Sequence, residues 1–267
     1  MGKTRGFFTT CCSFATFHGI KTAIIFSSAC RVASRESGRL KPSSEAPALS
    51  FSISIKRPMK MTFRLILGTH NAKKLRELEL LLSPYDIDLK SLATMPDSIE
   101  VEETGTTFKE NANLKASEQA KHLGQWVLGE DSGISVAALD GAPGVYSARF
   151  SGEGATDETN NALLLEKLSG IPPEKRTAWY TCHMALADPL GKVHINCESR
   201  CYGRILSEQK GTGGFGYDPM FEIPEYHLTF GELGDVVKSV LSHRARANRK
   251  FVPQLLSLVK RLGCSGG

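Results

Sequence analysis

The stretch that most limits how this chain can fold is Trp126-Val127-Leu128-Gly129-Glu130-Asp131-Ser132-Gly133. An apolar run leads directly into two adjacent carboxylates, a hydroxyl and a glycine. Such a pattern predicts a strand over 126 to 129 that ends in acids. A strand ending this way presents oxygen atoms at the carboxyl edge of a sheet, where open α/β folds bind their ligands. Carboxylates with an open coordination position suit Mg²⁺. The same residues also describe a plain polar turn that closes a strand.

Three other polar clusters bear on that choice. Thr69-His70-Asn71-Ala72-Lys73-Lys74 follows the apolar run Leu65-Ile66-Leu67. Asn71 can cap the helix that follows, in which Leu75, Leu78, Leu81 and Leu82 recur on one face, so the pattern is strand, polar loop, amphipathic helix. Free N–H groups at the helix start, with Lys73 or Lys74, make a cradle for phosphate. It is not a Walker loop, because it lacks that loop's glycines and its Gly-Lys-Ser/Thr ending. A capped surface helix with solvated lysines fits the same residues.

Next, Glu100-Val101-Glu102-Glu103-Thr104-Gly105-Thr106-Thr107 leads into a helix predicted from Phe108 to about Leu123. Thr107 and Glu110 form a capping box; Phe108, Ala112, Ala116 and Ala120 share one stripe, and Asn111, Lys115 and Glu118 another. Glu102 or Glu103 can supply a second carboxylate beside Asp131, and Lys115 can reach a phosphate or remain solvated.

The last cluster runs from Gly211 to Pro219, followed after about twenty residues by Lys238-Ser239 and Ser242-His243-Arg244. Gly211, Gly213 and Gly216 satisfy G-x-G-x-x-G, but the dinucleotide fingerprint needs a helix immediately afterwards, and Asp218-Pro219 forbids one. What remains is a glycine-rich loop presenting Phe215 and Tyr217 to a base, with Asp218 as an acceptor. Ser242 caps a final helix with His243 and Arg244 in its first turn, against the dipole's preference for acids there. Cations in that position suggest an anionic or carbonyl-rich ligand.

In this order the motifs Thr-x-Asn-x-x-Lys, Glu-x-x-Gly-x-x-Phe-x-x-Asn-Ala-x-x-Lys, Asp-Ser-Gly, Gly-Ala-Pro-Gly-x-Tyr-Ser-Ala-Arg, Phe-Gly-Tyr-Asp-Pro and Ser-His-Arg resemble the inosine triphosphate pyrophosphatase family from about Phe63 to Leu262. The resemblance implies hydrolysis of non-standard purine nucleoside triphosphates (ITP, dITP, XTP) to monophosphate and pyrophosphate, with Mg²⁺ as cofactor. It places metal carboxylates at Glu102 and Asp131 and the catalytic base at Asp131. The triphosphate loop falls on Thr69, His70, Asn71, Ala72, Lys73 and Lys74. Further substrate contacts fall on Lys115, Ser132, Phe215, Gly216, Tyr217, Asp218, Lys238, His243 and Arg244. On this reading Lys74 touches phosphate and affects all triphosphates alike, while Arg244 and His243 face the purine and set base choice. A nucleotide sensor that does not hydrolyse, and a pyrophosphatase for other modified nucleotides, are the rival readings. Two departures stand out: His70 occupies a place where the family more often has a small residue, and Pro253 should kink or end the last helix near Phe251.

The element order reads strand, helix, strand region, helix, strand at 126 to 129, an irregular Gly141 to Tyr146 segment, and a helix from Asp157 to Leu168. Strands follow at about 178 to 187, 192 to 202 and 219 to 223, before the C-terminal helix. Early alternation and later consecutive strands imply an α/β fold with a mixed central sheet flanked by helices. The resemblance adds two lobes with the site in the cleft between them, and a homodimer; the Gly141 to Tyr146 segment fits an interface or a buried turn.

Charge divides the chain. It carries a net +5 in all, but the first 60 residues hold ten Lys or Arg against Glu36 and Glu45, which leaves the remainder at −3. The basic balance therefore belongs to the extension, and nothing calls for nucleic-acid binding by the domain. Ser-rich and acid-poor, residues 1–60 are expected to be a disordered or targeting extension, or the product of an upstream start when Met59 and Met61 precede the first strand; residues 61–267 form the enzyme domain. The apolar run Thr22 to Ala29 is too short to span a membrane. Cys182, Cys197, Cys201 and Cys264 lack paired spacing, so they are expected as reduced thiols of a cytoplasmic-type compartment, an organelle being the alternative if the extension is a transit peptide. A chain beginning at Met61 is expected to fold and keep full activity; a large fall in its melting temperature would show that the extension packs on the enzyme.

Overall fold

Side-chain alternation along three long strands organises the computed structural model, which describes residues 62–263. The predicted extension over residues 1–60 and Cys264 lie outside the described residues. Strands β1 (Phe63–Leu67), β2 (Ile87–Ser91), β3 (Val127–Val136), β4 (Thr177–Ala187), β5 (Val193–Ile205), β6 (Phe221–Ile223) and β7 (Leu228–Thr229) form one sheet in the order β2-β1-β3-β4-β5-β6-β7. β1 pairs in parallel with β2 and β3, and every later pair is antiparallel. The parallel pairs require crossovers, supplied by α1 (Ala72–Leu82) and α2 (Phe108–Leu123). The mixed α/β sheet expected from the element order is the one observed.

β3 and β4 each contribute buried residues to three cores, and β5 to two of them. At one end Leu128, Cys182, Met184 and Cys197 pack against Leu78 and Leu82 of α1 and against Phe251 and Leu255 of α5 (His243–Arg261). On the opposite face Val127, Ala185 and Ala187 meet Ala112, Ala116 and Ala120 of α2. Further along the same strands Ile134, Val136, Ala178, Tyr180 and Cys201 join a separate core with Leu164 of α3 (Asp157–Lys167) and Phe230 of α4 (Phe230–Leu241). Residues 129 to 133 lie along β3 between Leu128, which belongs to the first of these cores, and Ile134, which belongs to the last.

Local signals account for the helix ends. Thr107 and Glu110 make the predicted capping box, Gly124 closes α2 in the left-handed conformation, and the Ser242 hydroxyl accepts from the Ala245 N–H. Three expectations need correction. β3 does not end at 129; it runs through Glu130, Asp131, Ser132 and Gly133, because each of these pairs with β4. The polar turn is therefore a strand interior. α4 was not expected, since Gly231 and Gly234 interrupt its pattern; Gly234 sits at φ 74, where the helix kinks. Pro253 does not end α5. It lies on the exposed face, whereas Phe251, Leu255, Leu258 and Val259 are buried on the other. Burying each of those side chains is worth about 1.5–3 kcal/mol, which together outweighs the roughly 3 kcal/mol an interior proline costs.

Close approach of α2 to β3 rests on Gly129. A Cβ there would lie 2.3 Å from the Ala112 carbonyl oxygen and 2.6 Å from the Ala116 nitrogen, both of them backbone atoms. Gly129→Ala is expected to lose about 1–3 kcal/mol of stability in chemical denaturation, through overpacking against atoms that cannot rotate away. An unchanged midpoint would mean that α2 can retreat freely.

Candidate active site

Because β3 stays extended through its charged residues, the period of two sends the neighbouring acids to opposite faces of the sheet. Asp131 points to the α2 face. Its Oδ1 accepts from Lys115 Nζ at 2.8 Å and its Oδ2 from Asn111 Nδ2 at 3.3 Å. Lys115 Nζ also lies 2.8 Å from Glu103 Oε1. Burial raises the Asp131 pKa; Lys115 opposes the rise, but it divides its charge between two carboxylates, and Glu103 adds repulsion. For Lys115 the balance is reversed: burial favours the neutral amine, and the two carboxylates overrule it to raise the pKa.

Glu130 points to the face carrying α1 and α5. Its Oε1 is 3.1 Å from Lys74 Nζ and 2.9 Å from Arg244 Nε, and Arg244 reaches Glu77 of α1 at 3.4 Å. Burial alone would push the Glu130 carboxyl up, yet Arg244 and Lys74 hold it down at about 2. Two adjacent residues of one type of chemistry thus have opposite electrostatics.

The predicted phosphate loop wraps around the start of α1. Thr69 Oγ1 accepts from the Asn71 N–H at 3.2 Å, and Asn71 Oδ1 accepts from the Lys74 N–H at 3.4 Å. Ala72 and Lys73 form the first turn; the Lys73 side chain lies outside the described residues. Thr69, His70, Lys74, Glu103, Lys115 and Glu130 share the lining of a cleft of about 520 Å³. Glu102 is exposed and borders a neighbouring groove with Arg149, so Glu103 is the acid that the fold brings against Lys115 and Asp131.

Ser132, Phe215, Gly216, Tyr217, Asp218, Lys238, His243 and Arg244 meet around a second, smaller cavity of about 150 Å³. Asp218 organises it. Its carboxylate accepts from the Phe215 N–H at 2.8 Å and from Tyr180 Oη at 3.4 Å, and forms a short buried ion pair with Lys238. Lys238 Nζ sits 4.1 Å over the Phe215 ring. Gly214 has φ +78, and a Cβ there would lie 2.1 Å from Asp218 Oδ2, so this turn of the loop requires glycine. No helix follows the glycines; β6 does, as the rejection of the dinucleotide fingerprint requires.

The expectation of two cations at the start of α5 needs correction. His243 is buried and stacks on Tyr180 with ring centroids 4.7 Å apart and planes at 10°. Burial, with the Arg244 charge beside it, lowers its pKa well below the ordinary value, so the ring is neutral. The Arg244 charge is balanced by Glu130 and Glu77. Several other supports had no clear signal in the sequence. Asp157 and Asn161 of α3 bind the Gly216 N–H and carbonyl at 2.7 and 3.1 Å, and Tyr217 donates to the Ser147 carbonyl at 2.8 Å. An Asp and an Asn four residues apart on one helix face is the only hint of the first pair.

These shifts fix the sign of the pH dependence. A His243 pKa lowered by folding means that the unfolded chain binds more protons below about pH 6.5, so this contribution to stability is lost as pH falls through that range. Glu130 adds a second loss as pH falls from its ordinary 4.5 toward about 2. Melting temperature is expected to fall from pH 7 to pH 5, with a shallower slope in His243→Gln; equal slopes would remove His243 from this role.

Comparison with known proteins places the chain in a family. A model of the Ham1 family matches residues 65–254. The chain is 54% identical over 202 residues to the dITP/XTP pyrophosphatase of Rhodopirellula baltica, covering 76% of this chain and 97% of that protein. It is 48% identical to the dITP/XTP pyrophosphatase of an Exiguobacterium species, over 74% of this chain and 99% of that one. Among solved structures, the HAM1 protein from Coxiella burnetii superposes with a TM-score of 0.69 at 35% identity, covering 73% of this chain and 99% of that chain. The match spans the described domain almost entirely, and the chain belongs to the Ham1 family.

Proposed function

We propose that this site hydrolyses non-standard purine nucleoside triphosphates (ITP, dITP and XTP) to the monophosphate and pyrophosphate. The observation that carries the reading is the junction at residues 130 to 132. There a cleft lined by Lys74, Lys115 and Glu130 and a cavity walled by Ser132, Phe215 and His243 reach the same strand at neighbouring positions. One end suits a polyphosphate and the other a flat base, and the two lie either side of Asp131. The names of the curated relatives, dITP/XTP pyrophosphatase, agree with this substrate class.

Lys74 and Lys115 are set to balance charge on the departing pyrophosphate. Asp131, with its raised pKa and its place beside the cleft, takes the proton of the water that attacks the α-phosphorus. The donor set also fits Mg²⁺. Asp131 and Glu103 converge on one cation, the Lys115 ammonium, at 2.8 Å each. Among the described residues no cluster of three or more His, Cys, Asp or Glu stands ready for a metal, so two carboxylates and substrate oxygens would hold it, as is usual for this ion. Glu102 would serve as the second ligand only if its loop turned inward. Bound Mg²⁺ would offset phosphate charge in a cleft whose lining already carries Glu100, Glu103 and Glu130.

Base choice follows from unpaired donors. A 6-oxo purine accepts from Arg244 or from the one N–H of neutral His243, whereas the adenine 6-amino group leaves that donor unsatisfied at about 1–3 kcal/mol. The His243 Nδ1 atom is buried without a partner in the protein, which supports a ligand contact there. The same reading includes a homodimer and a cytoplasmic setting. Tyr146, 56% exposed within the Gly144–Arg149 turn, supports a subunit contact, and the buried free thiols Cys182, Cys197 and Cys201 support a reducing compartment. Among the described residues no helix is long and apolar enough to cross a membrane.

Pyrophosphate release should be fast from ITP, dITP and XTP and slow from ATP. Comparable rates for ATP would sink the substrate assignment. Asp131→Asn is expected to lower turnover by at least about 10²-fold while the protein stays folded. Near-normal turnover of that variant at saturating Mg²⁺ would reject Asp131 as the base.

A further inference from the structure

Glu130 is a carboxylate buried to 4% exposure, and all its close contacts converge on one oxygen. Oε1 receives Lys74 Nζ from the start of α1 at 3.1 Å, Arg244 Nε from the start of α5 at 2.9 Å, and the Ser132 hydroxyl at 3.5 Å. Lys74 lines the polyphosphate cleft but not the smaller cavity, and Arg244 lines the smaller cavity but not the cleft. The two ends of the site therefore touch the same acceptor atom from different helices.

We propose that Glu130 is a positioning residue that couples polyphosphate binding to purine selection, by sharing one carboxylate oxygen between Lys74 and Arg244. The inference rests on the two-ended substrate reading above. When a phosphate draws the Lys74 ammonium away, Arg244 becomes the main cation left to a buried carboxylate. With Lys74 withdrawn, losing Arg244 as well would leave the buried carboxylate uncompensated, so the Glu130–Arg244 pair resists displacement. Arg244 is then held against β3, next to His243 at the purine cavity, and the cavity is set when the phosphate end is occupied. Glu77 shapes the same response, because it binds Arg244 from α1, the helix that carries Lys74. Coupling of this kind is reciprocal, so a purine contact that moves Arg244 also changes what Lys74 offers to phosphate. The separation of roles expected from the sequence, Lys74 for phosphate and Arg244 for base, does not hold on this arrangement.

Two measurements test the coupling. In the first, kcat/KM for ITP and ATP is compared across the wild type, Lys74→Ala, Glu130→Gln and the double variant. Lys74→Ala should change the ITP-to-ATP ratio by at least about fivefold although it lies at the phosphate end, and should leave the ratio unchanged within about twofold in the Glu130→Gln background. A merely structural Glu130 would lower both substrates together and leave the ratio alone. The second measurement needs no turnover and no Glu130 variant. The ¹⁵N resonance of the Arg244 Nε–H is followed by NMR while inorganic tripolyphosphate is added, with the Thr69 amide reporting occupancy. Arg244 should shift in the wild type and stay still in Lys74→Ala at equal occupancy. An Arg244 signal indifferent to tripolyphosphate in the wild type overturns the coupling, as does an ITP-to-ATP ratio that Lys74→Ala does not change. If the wild type releases no pyrophosphate from any purine triphosphate, the functional reading falls and the NMR comparison still decides the coupling.

Discussion

The site depends on one constraint: β3 keeps its extended pairing with β4 through two consecutive acids. Charged residues in a central strand are tolerated only when each finds a partner, since removing one member of a buried pair costs about 3–5 kcal/mol. The fold meets that demand twice, with Arg244 and Lys74 for Glu130 and with Lys115 and Asn111 for Asp131. These partners come from three helices: Lys74 from α1, Lys115 and Asn111 from α2, and Arg244 from α5. The need to neutralise β3 thereby fixes where the starts of α1 and α5 and the polar face of α2 must sit.

From this geometry follows a division of labour between like side chains. Glu130, held by two cations, keeps its charge until pH falls toward about 2 and serves as an anchor. Asp131 shares its cation with Glu103 and is desolvated, so its proton affinity is raised rather than lowered. Asp218 repeats the anchoring role at the other end of the site, where it binds Lys238 and shapes the Phe215 loop. Glycines complete the frame where backbone must approach backbone, as at Gly129 beneath α2.

Much of this was legible in residue order. The mixed sheet, the capping box of α2, the Ser242 cap of α5, the strand over 178 to 187 and the rejection of a dinucleotide fold all follow from patterns within a few residues of one another. The polar Thr69–Lys74 and Phe215 segments stood out in the sequence by residue type, and the fold brings both to the linings of the two cavities. Errors arose where a local rule met a long-range partner. Glu130 to Gly133 reads as a turn because its polarity suits one, and only ten paired residues of β4 keep it a strand. Pro253 reads as a helix end because its own ring disfavours the interior, and only the buried row from Phe251 to Val259 carries the helix past it.

What the sequence determined by itself is therefore the set of elements, their order and the chemical types available to the site, because periodicity, caps and turn residues act over one or two turns of chain. Tertiary structure decided which acid faces which helix, that Glu103 rather than Glu102 meets Lys115, that His243 is neutral, and that Lys74 and Arg244 share an oxygen. Those outcomes turn on contacts between residues up to 114 positions apart and on the loss of water around them. Neither the pairing nor the desolvation exists until the sheet has packed over its three cores, so no window of sequence could have contained them.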